Sequence, residues 1–167
     1  ADAEAARRAN RCLGRPEDAA VIELCGPGLR LAFDRATFVA ITGPRVNAVL
    51  ERSDLEGGRM SVPMNVAVRV RAGNALTVTG IENGARGYVA IAGMEAPAVL
   101  GSASVDPGSG FLRPLETGDN FEVGAVDADR VRRDPEVVPP HRDTVRVILG
   151  PQADHFDEQT IETFLRS

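Results

Sequence analysis

Apolar and polar side chains alternate along residues 66–79, and this alternation restricts the fold of the chain more than any other feature of the sequence. Val66, Val68 and Val70 occupy every second position, and Leu76 continues the series after a turn. Successive side chains of a β-strand point to opposite faces, so the pattern indicates strands that are buried on one face and solvated on the other. The sequence therefore predicts a β-rich core.

Glycine and proline divide the rest of the chain into short elements. The 17 glycines and 11 prolines favour strands joined by many turns over a helical bundle. Asn83-Gly84 predicts a hairpin, and helices are predicted at 2–13, with Asp2 as the N-cap, and after Asp157. Further strands are predicted at 20–25, 29–33, 36–42, 46–51, 86–92 and 121–124. The predicted fold class is mainly β with short helices.

A stretch rich in proline and charge, residues 125–143, has the composition of a linker. Residues 1–124 are therefore predicted to form one β domain. Beyond the linker, residues 144–149 alternate as a strand and a short helix follows, so residues 144–167 are predicted to open a second subdomain. Because so small a unit cannot bury its own core, we expect it to dock on the first domain or to begin a second one.

All 19 basic residues are arginine, and the absence of lysine excludes several chemistries. A phosphate loop places a lysine on the nucleotide phosphates, a Schiff base needs an amine, and a biotin carrier needs a lysine to acylate. We therefore expect no cofactor in this chain, with ATP or biotin supplied through partner subunits. The 24 acidic residues give a net charge of -5, and no basic stripe is present, so nucleic acid is not an expected partner.

Histidine and cysteine are too sparse to predict a metal site. His141 and His155 have no second ligand at helical spacing, so no metal is expected. Cys12 and Cys25 are isolated, which predicts two buried apolar side chains in a reducing compartment. We expect no leader at Ala1, and no apolar run approaches the roughly 20 residues of a membrane span. We expect a soluble cytoplasmic protein with no membrane partner.

The loop at 97–104 has the most suggestive local chemistry. Gly101 is followed by Ser102 and Ser104, and donors spaced this closely suit an anion or an acyl oxygen. The alternative is a plain turn whose serines cap local amides. Gln152 likewise either orients a substrate amide or satisfies a buried carbonyl. The residues themselves leave both alternatives open.

Three blocks of the sequence together resemble one family. The first block covers residues 10–17 and continues to Glu23. The second covers residues 86–93 and leads to residues 99–102, and the third covers residues 146–156. In this order they resemble the biotin-dependent carboxyltransferase group, which includes allophanate hydrolase subunit 2 and the C subunit of 5-oxoprolinase. The resemblance spans nearly the whole chain, and it implies a cyclophilin-like β-barrel domain followed by a second subdomain.

The resemblance also implies a function. The expected protein is a subunit of a heteromeric amide or lactam hydrolase that is active only in complex. Its expected partners are a companion subunit of similar fold, of the allophanate hydrolase subunit 1 type, and in one ATP-dependent branch a third, hydrolase subunit. Two alternatives stay open: a carboxyltransferase component that moves a carboxyl group from biotin to urea, and a non-catalytic regulatory partner of a kinase-inhibitor protein.

Six residues in or near the matching blocks are the candidate site residues. Ser102 is expected to donate to a substrate carbonyl and Asp154 to position water or a proton, so these two are the catalytic candidates. The substrate-binding candidates are Arg86, Tyr88, Ser104 and Gln152, with Arg86 holding a carboxylate. For Tyr88 and Asp154 the alternative is structural, a ring in the core and a local cap.

The chain departs from the family pattern beside this serine. After Ser102 the family usually continues with Arg-Ser-Thr, whereas this chain has Ala103, Ser104 and Val105. One guanidinium and one hydroxyl are therefore missing, and alanine cannot replace the planar anion clamp of arginine. The usual Gly-Gly pair is likewise Gly93-Met94 here.

Overall fold

The structure is a computed structural model that describes residues 2–54, 58–106, 108–131 and 144–166. Its helices are α1 (Ala3–Cys12) and α2 (Glu158–Arg166), with short 3-10 helices at Ala128–Arg130 and Ala153–His155. The strands are β1 (Ile22–Leu24), β2 (Arg30–Ala32), β3 (Thr37–Thr42), β4 (Arg45–Arg52), β5 (Gly58–Ser61), β6 (Ala67–Val70), β7 (Ala75–Glu82) and β8 (Gly87–Ile91). The predicted class, mainly β with short helices, is confirmed.

The strands of the described residues form two antiparallel sheets. Sheet A has the order β1-β8-β3-β6 and sheet B the order β2-β7-β4-β5. Their inner faces share one core, in which Val39 and Ile41 of sheet A and Leu50 and Leu76 of sheet B are almost completely buried. Among the described residues no strand pairing joins the edge of one sheet to the edge of the other, so the strands do not close into one barrel.

Helix α1 covers the outer face of sheet A. Its small residues Ala5 and Ala9 pack against Ala40 and Ala90, and short side chains let the helix approach the sheet closely. The side chain of Asp2 accepts a hydrogen bond from the Ala5 backbone N–H at 3.0 Å, which confirms the predicted N-cap. The start of the helix is therefore fixed both by its cap and by its packing.

The predicted hairpin at Asn83-Gly84 is wrong. Strand β7 pairs with β2 and β4 in sheet B, whereas β8 pairs with β1 and β3 in sheet A. Both edges of β7 are thus occupied, and the chain must cross to the other sheet. A Cβ at Gly84 would lie 2.6 Å from the ring of Pro44, so this turn packs tightly where the chain crosses.

Two other predicted strands are absent, and one observed strand was not predicted. Residues 121–124 keep only the isolated bridge between Met94 and Val123, and residues 144–149 form no strand. A strand needs a partner for its backbone groups, and no described residue pairs with 144–149, where Ile148 is 98 % exposed. Strand β5 was not predicted, because its exposed residues lack the apolar alternation.

Several smaller expectations concern the same regions. Asp157 accepts a hydrogen bond from the Thr160 N–H at 2.7 Å and caps α2, as predicted. Cys12 is buried, but the prediction for Cys25 is wrong, because this side chain is exposed at the end of β1.

Residues 132–143 of the predicted linker, with His141, lie outside the described residues. The division into a domain, a linker and a second subdomain stays a prediction.

Candidate functional site

The hydroxyl of Tyr88 is the centre of a partly buried hydrogen-bond group. It accepts from the backbone N–H of Asp2 at 2.6 Å and donates to Oε2 of Glu23 at 2.9 Å. The residue is 2 % exposed, and this burial, together with the Glu23 carboxylate, raises the pKa of the phenol. Tyr88 therefore joins the start of α1 to the β1–β8 pair, and its hydroxyl has two protein partners.

Arg86 lies beside this group at the surface. Its Nε is 3.7 Å from Oε1 of Glu23, and its side chain is 44 % exposed. The structure thus brings Arg86, Tyr88 and Glu23 together at one end of the β1–β8 pair. Glu23 was not among the site residues predicted from the sequence. The antiparallel register that places it opposite Tyr88 follows only from the pairing of two distant strands.

Ser102 closes a tight turn. Its backbone N–H and carbonyl pair with those of Val99 at 3.0 and 2.9 Å, and Leu100 and Gly101 between them have φ angles of +53° and +79°. Two consecutive positive φ angles define the type I′ turn that joins antiparallel segments. The Oγ of Ser102 accepts the N–H of Ser104 at 3.1 Å. Because Oγ acts there as an acceptor, its own hydrogen is available to a further acceptor.

Gln152 and Asp154 form a third, separate group. Gln152 immediately precedes the exposed 3-10 helix Ala153–His155, which contains Asp154. No hydrogen bond or ion pair between described residues joins either of them to Arg86, Tyr88 or Ser102. The six predicted site residues thus occupy three places that direct contacts do not connect. Their assignment to one site stays a prediction.

The first of the three sequence blocks, residues 10–17, forms a polar cluster around the buried side chain of Asn10. Asn10 is completely buried, and its side-chain amide donates to the carbonyls of Glu17 and Ala19 at 3.2 and 2.7 Å. Arg15 donates to Oδ1 of Asn10 at 2.9 Å and to the carbonyl of Met94 at 3.1 Å, and burial lowers the pKa of its guanidinium. These contacts hold the loop after α1 against the end of sheet A. The sequence pattern alone assigns these residues no such role, because most of their partners are backbone carbonyls.

The described residues offer neither a metal site nor a membrane helix. No three histidine, cysteine, aspartate or glutamate side chains within the described ranges are grouped so that they could hold a metal ion. Among the helices of this part of the chain, none has the length and apolar character that crossing a bilayer requires.

The described residues thus form a β domain of two packed antiparallel sheets with a helix on one outer face. The family model for the carboxyltransferase domain, subdomains A and B, matches residues 1–167. The chain belongs to this carboxyltransferase-domain family.

Two curated relatives and one solved structure show how the chain compares. It is 30 % identical over 171 residues to the C subunit of 5-oxoprolinase from Escherichia coli strain K12, covering 99 % of this chain and 53 % of that protein. It is 28 % identical over 180 residues to urea amidolyase of Saccharomyces cerevisiae, covering 98 % of this chain and 9 % of that protein. The crystal structure of the Kluyveromyces lactis urea amidolyase matches with a TM-score of 0.76 at 26 % identity, over 99 % of this chain and 11 % of that one. The chain thus spans about half the length of the first relative and about a tenth of the second.

Proposed function

We propose that this chain supplies one β domain to a heteromeric enzyme that opens an amide or lactam, of the 5-oxoprolinase type, and that it is active only in complex. The observation that carries the proposal is the similarity to the C subunit of 5-oxoprolinase across nearly the whole chain. That relative is named as a subunit, and so the complete activity belongs to an assembly. Cytoplasmic localisation is part of the same proposal.

Exposed apolar side chains support a partner subunit. Leu100 is 90 % exposed at the tip of the Ser102 turn, and Ile148 and Leu165 are exposed in the carboxy-terminal segment. Covering such side chains contributes roughly 25 cal/mol per Å² of apolar surface removed from water. A companion subunit of similar fold, with a third, hydrolase subunit, is the proposed assembly.

The proposed chemistry at the turn is stabilisation of an oxyanion. When water attacks an amide carbonyl, negative charge develops on the carbonyl oxygen, and a fixed O–H donor lowers the energy of that state. Ser102 is the proposed donor, because its Oγ is held by the Ser104 N–H while its hydrogen remains available. Arg86 would hold a substrate carboxylate, with Ser104 and Gln152 as further substrate-binding residues, and Asp154 would position the water. Tyr88, which is 2 % exposed, would contribute to substrate binding through Glu23, which its hydroxyl holds beside Arg86.

Ser102→Ala in the assembled enzyme is expected to lower turnover about 100-fold, because one oxyanion donor is lost. The free energy of unfolding should fall by only about 1 kcal/mol, since one exposed turn contact disappears. Turnover and urea denaturation of the same preparation measure both effects.

Ser109→Ala is the matched control, because the Ser109 hydroxyl makes only local bonds and carries no proposed role. It donates to the Asp106 carbonyl at 2.9 Å and accepts from the Phe111 N–H at 3.4 Å. Ser109→Ala should leave turnover unchanged. If Ser102→Ala and Ser109→Ala had equal turnover, the role of Ser102 would be limited to stabilising its own turn.

ATP or biotin would act through partner subunits, because the chain has no lysine that could pair with nucleotide phosphates or carry biotin. We expect no saturable binding of Mg-ATP to this chain alone in the micromolar range, since its net charge of -5 also repels a triphosphate. Isothermal titration measures this directly. Micromolar affinity of the isolated chain would contradict the assignment of ATP to a partner.

Carboxyl transfer from biotin to urea is the second candidate, and similarity to urea amidolyase together with the name of the family model favours it. The two candidates form different products. In the complex reconstituted with its companion subunits, lactam opening would release glutamate from 5-oxoproline when ATP is hydrolysed. Carboxyl transfer would instead incorporate labelled bicarbonate into urea. Incorporation without glutamate release would replace the first proposal by the second. The regulatory-partner hypothesis stays a prediction without a supporting observation.

A further inference from the structure

A groove of about 890 Å³ lies at the β6 end of the outer face of sheet A. The strand register places Arg69 opposite Phe38 and Ala67 opposite Ala40, so all four side chains share the outer face that α1 partly covers. Phe38 and Ala67 form an apolar floor beyond the helix, and Val126 supplies apolar surface from the facing segment. This volume lies within the range of small-molecule sites, roughly 300 to 1,000 Å³.

The second wall of the groove is tied to the sheet. The Gly124 N–H donates to the Gly93 carbonyl at 2.8 Å, and the Glu95 N–H donates to the Glu122 carbonyl at 3.1 Å. Arg35 adds a bond from its Nη1 to the Val123 carbonyl at 2.9 Å. Three bonds along this short segment hold residues 122–124, the start of this wall, against the body of the domain.

Two guanidinium groups give the groove its charge. Arg69 is exposed, and within the described residues no hydrogen bond or ion pair engages it. Arg35 has one ion-pair neighbour, Asp34 at 3.7 Å, whose own side chain is 91 % exposed. None of the described lining residues is acidic. An unpaired arginine beside apolar surface favours an anion that also has an apolar part.

We infer that this groove binds a small organic carboxylate with an apolar body. Its carboxylate pairs with Arg69 and Arg35, because a planar guanidinium fork matches two carboxylate oxygens. Its apolar part covers Phe38, Ala67 and Val126. Inorganic phosphate would leave this apolar floor uncovered. The inference goes beyond the proposed function, since none of the six proposed site residues lines this groove and no partner subunit is needed to test it.

Hexanoate is a suitable probe, with hexanol as the uncharged probe of equal chain length. We expect the purified protein to bind hexanoate saturably in a calorimetric or chemical-shift titration, and hexanol more weakly. Arg69→Gln should weaken hexanoate binding about tenfold, because one charge-assisted contact is lost. Arg35→Gln should also weaken hexanoate binding, but it removes the bond to the Val123 carbonyl as well, so Arg69→Gln is the decisive variant.

Arg59→Gln is the matched control, because Arg59 is an exposed arginine on β5 of the other sheet, 3.7 Å from Glu51. It should leave the affinity for hexanoate unchanged. The inference is overturned by any of three results: no saturable binding, equal effects of Arg59→Gln and Arg69→Gln, or equal affinities for hexanoate and hexanol. A failed reconstitution of enzyme activity would leave these titrations unaffected, so the two proposals fail separately.

Discussion

Asn10→Ala is expected to lower the free energy of unfolding by about 3 kcal/mol, because several partly buried polar groups lose their partners at once. The carbonyls of Glu17 and Ala19 lose their donor, and Arg15 loses an acceptor in a largely buried position. Each unsatisfied buried group costs roughly 1 to 3 kcal/mol, and the carbonyl groups retain some access to water after local relaxation. Urea denaturation with an unchanged m-value measures the difference.

Asn120→Ala is the control for this substitution. The exposed Asn120 side chain donates only to the Gly118 carbonyl, at 3.0 Å, so its loss should change the stability by less than about 0.5 kcal/mol. Asn10→Asp separates the contributions further, because it keeps the acceptor for Arg15 and removes both donors. Equal stabilities for Asn10→Ala and Asn120→Ala would contradict the role of Asn10 as the centre of the cluster.

Gly93→Ala is expected to cost about 3 kcal/mol or more, through two separate effects. Gly93 has a φ of +75°, a left-handed conformation that disfavours a Cβ by roughly 1 to 2 kcal/mol. An added Cβ would also lie 2.6 Å from the backbone oxygen of Gly124, and a backbone atom cannot rotate away as a side chain does. The substitution should therefore also loosen the segment at 121–124 that forms one wall of the groove.

Gly101→Ala measures the conformational penalty of a positive φ angle without a steric contact. Gly101 has a φ of +79°, but no atom lies within 4 Å of its Cβ position. Its substitution should cost only the conformational penalty of roughly 1 to 2 kcal/mol. The difference between the two variants measures the steric contact with Gly124. If both variants lost the same stability, the close approach of Gly93 and Gly124 would not be a constraint on the fold.

The strands of the core could be predicted closely from the sequence. Residues 36–42 and 46–51 were predicted as strands, and β3 and β4 span Thr37–Thr42 and Arg45–Arg52. These strands have an inner face of apolar side chains, and burial on one face determines both the conformation and the register. The cap at Asp2 was equally predictable, because a capping bond joins residues only three apart.

Strand pairing was not predictable in the same way. The Asn83-Gly84 turn is compatible with a hairpin, but β7 was already flanked by β2 and β4, which lie far from it in the sequence. The alternation of apolar and polar side chains at 144–149 was likewise insufficient to predict a strand, because a strand also needs a neighbouring strand for its hydrogen bonds. A local pattern indicates which backbone conformation is favoured, and it does not identify the partner.

The residues of the candidate site were likewise only partly predictable from the sequence. The Ser102 turn was anticipated from its residue types, whereas Glu23 and Arg69 were not among the predicted site residues. Both take their position from pairing across a sheet, Glu23 opposite Tyr88 and Arg69 opposite Phe38. A binding group built across strands becomes visible only when the register of those strands is known.

The proposed function makes this chain a necessary subunit of an ATP-dependent, lactam-opening assembly. The most direct test is to measure glutamate release from 5-oxoproline by the companion subunits, with ATP, while this chain is added in increasing amounts. Almost no release is expected without the chain, and the rate should rise with added chain and saturate at a fixed stoichiometry. A rate that is the same with and without this chain would contradict the claim.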